Sequence, residues 1–438
     1  MNKKVYIETY GCQMNMSDTE IVSSLLIDNG FDIIDKAASA DVILLNTCSV
    51  RDNAERKIFE KLTHLKQYKK KNSKLVVGIL GCMAERLQDK LTNEHDIVNI
   101  AIGPDEYRKI PELIQNAFYG QKGIAVELGT IETYDDIIPL RTEGNCAWLS
   151  IMRGCNNFCS FCVVPATRGR ERSRPMSSIL KEVEQLQKDG FKEVTLLGQN
   201  VNSYRCPETK SRFPELLSNV AKTAPKIRFR FTSSHPKDIS DRLIEVIAEN
   251  PNVCNHIHLA MQSGSNRILK LMKRRYTFEH YLSRIEFIKK LIPDCSLTTD
   301  IIAGFPSETI EDHQDTLRAM ETVEYDGAYM FKYSARENTT AYDMEDDVPD
   351  EEKTRRLNEI IDLQHKISRK LNKNEINRIH EVLVEGPSKK NKEEWFGRTD
   401  TNKVVVFPAP EGIKQGDKFK IKISRYTSAT LFGEIVEE

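Results

Sequence analysis

A repeated alternation of apolar strand candidates and helical stretches fills the middle of this 438-residue chain. Amphipathic helices are expected near 177–188 and 277–291. The apolar segments predict six buried strands, at 149–151, 194–197, 227–231, 256–259, 297–302 and 328–331. Parallel strands require crossover connections, and helices supply them. The pattern therefore predicts an α/β fold, an open (β/α)6 barrel, whose functional face lies at the carboxyl ends of its strands.

The first 120 residues show the same alternation on a smaller scale. Buried strands are predicted at 5–7, 42–45 and 75–80, and one helix from about 51 to 70. Another helix is predicted to begin at Ser17, because Ser17 and Glu20 have the spacing of a capping box. We expect a parallel α/β sheet domain at 1–120, followed by the barrel and an amphipathic connector helix at 141–372.

The last part of the chain, 374–438, has a different pattern. Glycine and proline separate short strand candidates at 381–384, 404–407, 419–423 and 430–436. These strands predict a small antiparallel β-barrel. One strand carries three lysines on the same face, Lys418, Lys420 and Lys422. Such a row is equally consistent with RNA binding and with an edge that resists aggregation.

Composition narrows the class of protein. The formal net charge of −1 predicts no nucleic-acid partner by itself. The apolar runs are far shorter than the roughly 20 residues that span a bilayer. The first residues lack the apolar core of a signal peptide, so we expect a cytoplasmic protein without a membrane anchor. Thiols stay reduced in that compartment, so the ten cysteines indicate metal or redox chemistry more than a disulfide framework.

Three cysteines follow the first barrel strand in the segment Arg-Gly-Cys-Asn-Asn-Phe-Cys-Ser-Phe-Cys. They are Cys155, Cys159 and Cys162. Soft thiolates suit iron–sulfur clusters or zinc, and a closed structural zinc site takes four protein ligands. Three cysteines therefore favour a [4Fe–4S] cluster with one iron left open for a small molecule. The loop should lie on the functional face of the barrel.

A second set of cysteines is spread over the N-terminal region. Cys12, Cys48 and Cys82 each follow one of the three predicted strands. Because sites in open α/β sheets lie at the carboxyl ends of strands, these cysteines should converge on one edge. Unrelated buried cysteines are the alternative. Their equivalent positions beside glycine or threonine favour a second cluster. The remaining four are expected to be structural: Cys146, Cys206, Cys254 and Cys295.

Longer motifs resemble the methylthiotransferase family of radical S-adenosylmethionine (SAM) enzymes from end to end. They are Tyr-Gly-Cys-Gln-Met-Asn at 10–15, Asn-Thr-Cys-Ser-Val-Arg at 46–51, Gly-Cys at 81–82, Ile-Met-Arg-Gly-Cys-Asn-Asn-Phe-Cys at 151–159, Leu-Leu-Gly-Gln-Asn-Val-Asn-Ser-Tyr at 196–204, Gln-Ser-Gly-Ser at 262–265 and Asp-Ile-Ile-Ala-Gly-Phe-Pro at 300–306. The first and fifth motifs are typical of the branch that acts on N6-isopentenyladenosine in tRNA. The resemblance implies a radical SAM barrel in the centre and an RNA-binding TRAM domain at the C-terminus.

The resemblance also implies the chemistry. It implies two [4Fe–4S] clusters, one for each cysteine triad, and SAM as both methyl donor and radical source. Carbon 2 of adenine offers an unactivated C–H bond, which no side chain can break, so a cofactor must supply the reactivity. The implied product is 2-methylthio-N6-isopentenyladenosine beside the anticodon. The implied partners are that tRNA and an electron donor such as a flavodoxin, and we expect a monomer.

Further site residues follow from the same resemblance and from their places near strand ends. The candidates for binding SAM are Phe161, Gln199, Ser233, Gln262 and Asp300. Capping of their own loops is the alternative for these side chains. The candidates for contacting tRNA phosphates are Arg168, Arg170, Arg172 and Arg174, with a solvated charged loop as the alternative. The candidates for holding the target base are Tyr204 and Arg336.

Two positions depart from the family pattern. The family's Arg-Pro-Gly-Thr is here Arg-Glu-Asn-Thr at 336–339, and Asn338 is expected to keep the turn in a left-handed conformation. Ala166 stands where an aromatic residue is common. Neither change removes a cluster ligand.

Other functions remain open from the sequence. A sister methylthiotransferase would act on threonylcarbamoyl-adenosine in tRNA or on an aspartate of a ribosomal protein, with the same cysteines. An RNA-binding protein with structural zinc is a second alternative. A thiol redox protein is a third, but Cys159 and Cys162 lie inside the triad and not at the helix start of a thioredoxin-like unit.

Overall fold

The N-terminal part of the structure, a computed structural model, is a parallel sheet flanked by helices. The structure describes residues 2–49, 52–141, 144–391 and 393–436. The strands are Lys3–Tyr10 (β1), Phe31–Ile33 (β2), Val42–Thr47 (β3), Val76–Gly81 (β4), Ile100–Ile102 (β5) and Gly123–Ala125 (β6). The helices are Gln13–Asp28 (α1), Asp52–Lys71 (α2), Cys82–Leu87 (α3), Asp89–Glu94 (α4) and Ile110–Phe118 (α5). The sheet order is β2-β1-β3-β4-β5-β6.

The predicted parallel sheet is confirmed, and three of its strands were missed. Strands β2, β5 and β6 have three residues each, which is too short to show a pattern in sequence. The predicted start of α1 at Ser17 is wrong, because the helix already begins at Gln13. The Asn15 side-chain oxygen accepts a hydrogen bond from the Cys12 backbone N–H and so caps the earlier start. The second predicted helix is present as α2, and Arg51 lies outside the described residues.

The central part contains the six expected barrel strands. Its strands are Cys146–Ser150 (β7), Met152–Arg153 (β8), Arg172–Ser173 (β9), Glu193–Leu197 (β10), Arg228–Phe231 (β11), His256–His258 (β12), Ser296–Ala303 (β13) and Gly327–Lys332 (β14). Its helices are Val164–Arg168 (α6), Met176–Lys188 (α7), Phe213–Thr223 (α8), Asp241–Glu249 (α9), Asn266–Leu271 (α10), Phe278–Leu291 (α11), Ile310–Val323 (α12) and Asp350–Lys373 (α13). The long helix α13 matches the predicted connector.

The barrel is open and consists of two parallel halves. One half has the order β11-β10-β7 and the other β12-β13-β14. Isolated bridges join the halves, Phe229 with Val253 and Ser234 with Leu259. The short strands β8 and β9 form a separate antiparallel pair. This pair carries the chain into and out of the loop that holds the central cysteines.

The C-terminal part is the expected small barrel, with one difference in its pairing. Its strands are Ile379–Pro387 (β15), Glu394–Arg398 (β16), Val404–Pro408 (β17), Lys418–Tyr426 (β18) and Leu431–Ile435 (β19). They close in the order β15-β16-β17-β19-β18. The β17 and β19 strands pair in parallel, whereas an antiparallel barrel was predicted. Strand β16 was missed.

The C-terminal barrel contacts the amino end of the central strands. Arg230 donates to the carbonyl of Asp400 at 2.7 Å, and Arg228 donates to that of Arg398 at 3.2 Å. Both arginines share Glu193 on β10. These bonds close the end of the barrel opposite the carboxyl ends of its strands. Among the helices of the described ranges, none has the length and apolar character needed to cross a membrane.

Candidate active site

The N-terminal cysteines meet at the carboxyl ends of three neighbouring strands. Cys12 follows β1, Cys48 follows β3, and Cys82 follows β4 as the first residue of α3. Because β1, β3 and β4 are adjacent and parallel, their ends lie side by side. A hydrogen bond with Cys48 lowers the pKa of the Cys12 thiol to about 6. The expected convergence of the three cysteines is thus observed.

The central cysteines lie in a loop that is tied to the barrel by backbone hydrogen bonds. The Ser160 N–H donates to the Met272 carbonyl at 3.1 Å, and the Ser160 carbonyl accepts from the Ala341 N–H at 2.7 Å. Burial raises the pKa of Cys155 to about 11 and that of Cys162 to about 12. Neutral thiols are therefore favoured at these two positions until a metal binds and displaces the proton.

Glycines directly precede Cys82 in the N-terminal triad and Cys155 in the central triad, and close packing requires both of them. Gly81, before Cys82, has φ +88° and Gly154, before Cys155, has φ +76°. A Cβ on Gly81 would lie 2.6 Å from the Thr47 carbonyl oxygen, and one on Gly154 would lie 2.0 Å from that of Arg170. Only glycine combines this backbone conformation with such a close approach.

A buried ion-pair network joins the two cysteine-bearing regions. Asp18 on α1 is fully buried and accepts from Arg153 at 2.5 Å and from Arg168 at 2.7 Å. Arg168 also directs its Nε toward the Cys82 sulfur at 3.2 Å. Burial raises the pKa of the Asp18 carboxyl, but the two guanidinium groups outweigh it and hold this pKa below its ordinary value. A second buried pair, Asp105 with Arg172, connects the same two regions at 2.7 Å.

Both triads have the donor set of a [4Fe–4S] cluster. Within the described part of the chain, no three Cys, His, Asp or Glu side chains close around a single metal ion. A cluster binds each thiolate at a different iron, so its cysteines stand further apart than the ligands of one ion. Three sulfur donors without a fourth fit a cluster with one open iron. Beside the N-terminal triad, Arg168 Nη1 is buried and has no hydrogen-bond partner among the described residues, so one donor there is available for an anion.

The candidates for binding SAM lie near the barrel mouth, and each has different contacts. Gln199 accepts from the Gly154 N–H at 2.6 Å, which supports the loop before Cys155. Ser233 and Gln262 both have left-handed backbones, at φ +64° and +71°. Asp300 lies 3.3 Å from His258 Nε2, and Phe161 packs against the apolar cluster around Phe305.

Several candidates for contacting tRNA are placed differently from the expectation. Tyr204 is buried and donates to the Arg174 carbonyl at 2.9 Å, so its ring is part of the core and does not stack on a base. Three of the four arginines are buried beside carboxylates and do not face a phosphate: Arg168 with Asp18, Arg172 with Asp105 and Arg174 with Glu182.

Arg170 and Arg336 complete that set of candidates. Arg170 is the exposed member of the arginine row, and its guanidinium lies 4.2 Å from the centre of the Phe158 ring. Arg336 is buried and lies 3.7 Å from Glu55 of the N-terminal region. The loop after it turns as expected, because Asn338 has φ +68°.

Sequence reasoning missed a group of buried polar side chains after β10 and β11. His235 is buried, its Nδ1 accepts from the Lys237 N–H, and its Nε2 has no hydrogen-bond partner within the described ranges. Burial lowers the pKa of His235 to about 2, so the ring is neutral. The hydroxyl of Ser234 and the side-chain amide of Asn202 also lack partners there. A cavity of about 510 Å³ lies beside Asn202 and Lys237. In the sequence, Asn202 of the motif at 196–204 was the available signal for this polar group.

Three family models match consecutive parts of the chain. The radical SAM superfamily matches residues 149–320 and the TRAM domain matches 373–436. An uncharacterized protein family, UPF0004, matches 4–103, the part that carries the first triad. The matches cover the three parts of the fold in the same order.

Among solved structures, similar folds occur in other radical SAM proteins. The radical SAM methyltransferase TsrM from Kitasatospora setae aligns with a TM-score of 0.56 and 14% identity, over 75% of this chain and 73% of that chain. The radical SAM enzyme OxsB aligns with a TM-score of 0.54 and 14% identity, over 83% of this chain and 56% of that chain. At this identity the likeness concerns the fold alone.

Much closer relatives carry the name tRNA-2-methylthio-N(6)-dimethylallyladenosine synthase. The protein of Bacteroides fragilis is 54% identical over 99% of this chain and 96% of its own length. That of Chloroherpeton thalassium is 54% identical over 98% and 95%. That of Porphyromonas gingivalis is 51% identical over 99% and 95%. With the matching domains and both thiol triads in place, this chain belongs to the tRNA-2-methylthio-N(6)-dimethylallyladenosine synthase family of radical SAM transferases.

Proposed function

We propose that this protein converts N6-isopentenyladenosine (N6-dimethylallyladenosine) in tRNA, beside the anticodon, to its 2-methylthio derivative. The observation that carries the proposal is the pairing of two thiol triads across one buried ion-pair network, at the carboxyl ends of two sets of parallel strands. The 54% identity to relatives named for this reaction favours it over a sister reaction on threonylcarbamoyl-adenosine or ribosomal protein.

The two triads have separate roles in this proposal. The thiolates of Cys155, Cys159 and Cys162 hold the cluster that binds SAM, and those of Cys12, Cys48 and Cys82 hold the second cluster. When bound, the two clusters supply one-electron reduction of SAM and a sulfur atom for transfer. The chain's own contribution is positional. Arg153 and Arg168, both paired with Asp18, fix the distance between the triads. The neutral His235 presents an Nε2 at the barrel mouth that no described residue contacts by a hydrogen bond.

The C-terminal barrel supports tRNA as the partner. Lys418, Lys420 and Lys422 are exposed on one face of β18, while Ile421 and Ile423 on the opposite face fill the core of this barrel. We further propose a cytoplasmic monomer that receives electrons from a flavodoxin-like donor. The proposed units are 1–120, 141–372 and 374–438.

The reaction can be tested by mass spectrometry of tRNA nucleosides from a strain lacking this protein. We expect the 2-methylthio nucleoside to vanish and isopentenyladenosine to accumulate, with full restoration by the wild-type gene. A Cys146→Ala variant should also restore it, because Cys146 lies at the far end of β7 from the triad. An unchanged nucleoside profile in the deletion strain would contradict the proposal.

The row of lysines on β18 can be tested by tRNA binding at several salt concentrations. Replacing Lys418, Lys420 and Lys422 with glutamine should weaken binding, and the slope of log affinity against log salt should fall by about 1 for each lysine that binds a phosphate in the wild type. Glutamine replacement of exposed lysines on the outer helices is the matched control, at Lys181, Lys188 and Lys222. An equal slope in both triple variants would show that the row does not bind tRNA.

A further inference from the structure

Arg274 is a buried cation in direct contact with the SAM-binding triad. Its Nη1 donates toward the Cys159 sulfur at 3.3 Å and its Nη2 to the Ala260 carbonyl at 2.6 Å. Its side chain is buried, whereas the residues on either side, Lys273 and Arg275, are exposed. Both neighbours have left-handed backbones, at φ +56° and +58°. This unusual backbone turns Arg274 inward while its neighbours face solvent.

Arg274 differs from the other buried arginines of the described chain in its partners. Each of the others has a carboxylate oxygen within 4.0 Å: Arg153, Arg168, Arg172, Arg174, Arg228, Arg230, Arg336 and Arg356. Within the ranges that the structure describes, Arg274 makes no such ion pair. Its hydrogen-bond donors are used by a sulfur, a carbonyl and, at 3.5 Å, the Tyr276 hydroxyl.

A buried guanidinium without an opposite charge is strongly unfavourable, and arginine cannot lose its proton to avoid the cost. The nearby titratable groups do not supply that charge. His235 is kept neutral by burial and by Arg274 itself, and Tyr276 is a phenol whose pKa is raised by burial. The remaining source of negative charge is the sulfur of Cys159, together with the cluster that it holds in the proposed function.

We propose that Arg274 is a positioning residue that acts as the fixed counter-cation of the SAM-binding cluster and raises its reduction potential. Accepting one electron from a one-electron reductant makes the cluster more negative by one charge. A cation held 3.3 Å from one of its ligands favours that more negative form. The inference rests on the proposed binding of a cluster by Cys155, Cys159 and Cys162.

The test is a potentiometric titration followed by electron paramagnetic resonance. The full chain would carry Cys12→Ala, Cys48→Ala and Cys82→Ala, so that only the SAM-binding cluster is present after anaerobic reconstitution. In this background, Arg274→Gln should move the midpoint to a more negative potential, and the fraction of cluster reduced at a fixed potential should fall. Arg274→Lys, which keeps the charge, should shift the midpoint less.

The control is Arg275→Gln, which removes an adjacent but exposed cation and should leave the midpoint nearly unchanged. An unchanged midpoint in Arg274→Gln with a normal iron content would overturn the inference. So would equal shifts for the lysine and glutamine variants, because they would indicate packing rather than charge. If the background chain bound no iron at all, the proposed function itself would fail. That result can be distinguished from a failure of the Arg274 inference, in which iron is bound but the midpoint does not change.

A second measurement covers the case in which Arg274→Gln holds too little iron for titration. The melting temperature of the full chain would be compared with and without reconstituted clusters, for the wild type and for Arg274→Met. In the apo form, methionine removes a charge that has no counter-charge, whereas in the loaded form it removes the counter-cation of the cluster. The melting temperature of Arg274→Met should therefore fall less, relative to the wild type, in the apo form than in the loaded form. Equal losses in both forms would show a purely structural role and would refute the proposal.

Discussion

Replacing Cys155 with alanine is expected to reduce formation of 5′-deoxyadenosine to the background of an assay without protein. The proposed radical-generating site has three cysteine ligands, Cys155, Cys159 and Cys162, and their loop contains no further cysteine that could replace one of them. The tRNA should remain entirely as isopentenyladenosine. The measurement is chromatography of the products after anaerobic reconstitution with SAM and a reductant, normalised to protein concentration.

The matched variant is Cys82→Ala, in the other triad. It should keep forming 5′-deoxyadenosine, because the loop at 155–162 is intact, yet it should yield no methylthio product. A Cys146→Ala chain should retain both products. If Cys155→Ala still formed 5′-deoxyadenosine at the wild-type rate, the assignment of the two triads would be wrong.

Replacing Asp18 with asparagine is expected to lower the free energy of unfolding by about 3–5 kcal/mol, the typical cost of removing one partner from a buried ion pair. Asp18 is fully buried and serves both Arg153 and Arg168, so the change leaves two guanidinium groups without their carboxylate. Denaturant unfolding of the apo protein measures this loss. We also expect a lower iron content at the N-terminal triad, because Arg168 contacts Cys82.

The control for this prediction is an exposed ion pair in the same region. Asp136 pairs with Arg108 at the surface, and Asp136→Asn should cost about 0–1 kcal/mol. Equal losses in the two variants would show that the Asp18 network contributes no special stability.

The Asp18 network also sets a pH dependence of stability. The pKa of Asp18 is lower in the folded chain than its ordinary value of about 3.9 in an unfolded chain. Its contribution to stability is therefore present above that unfolded value and is lost as the pH falls through the folded value. Acid unfolding of Asp18→Asn should lack this step, since asparagine does not titrate.

Much of the fold was predictable because local patterns encode it. Largely apolar segments of three to six residues marked the six central strands and three strands of the N-terminal sheet. Strands β2, β5 and β6 were missed, since each has only three residues. Strand β16 was also missed, because Glu394, Gly397 and Arg398 leave only two large apolar residues in it. The parallel pairing of β17 with β19 was also missed, because pairing direction depends on the path of the whole chain.

The cysteines of the candidate site were predictable for a related reason. Each one follows a strand or lies in a tight sequence cluster, and parallel strands bring their carboxyl ends to one edge whatever the rest of the fold does. The sequence by itself therefore determined the fold class and both triads.

Only the tertiary structure decided which charged side chains face the site and which are buried. The arginines that follow Cys162 were predicted to contact tRNA phosphates. In the structure, however, Arg168 pairs with Asp18, 150 residues away, and Arg172 pairs with Asp105, 67 residues away. No local pattern links such distant residues. The position of Arg274 could not be predicted for the same reason. That none of its described neighbours is a carboxylate can be recognised only once the neighbours have been placed in the structure. Hydrophobic periodicity is a property of short segments, whereas the compensation of a buried charge is a property of the packed molecule.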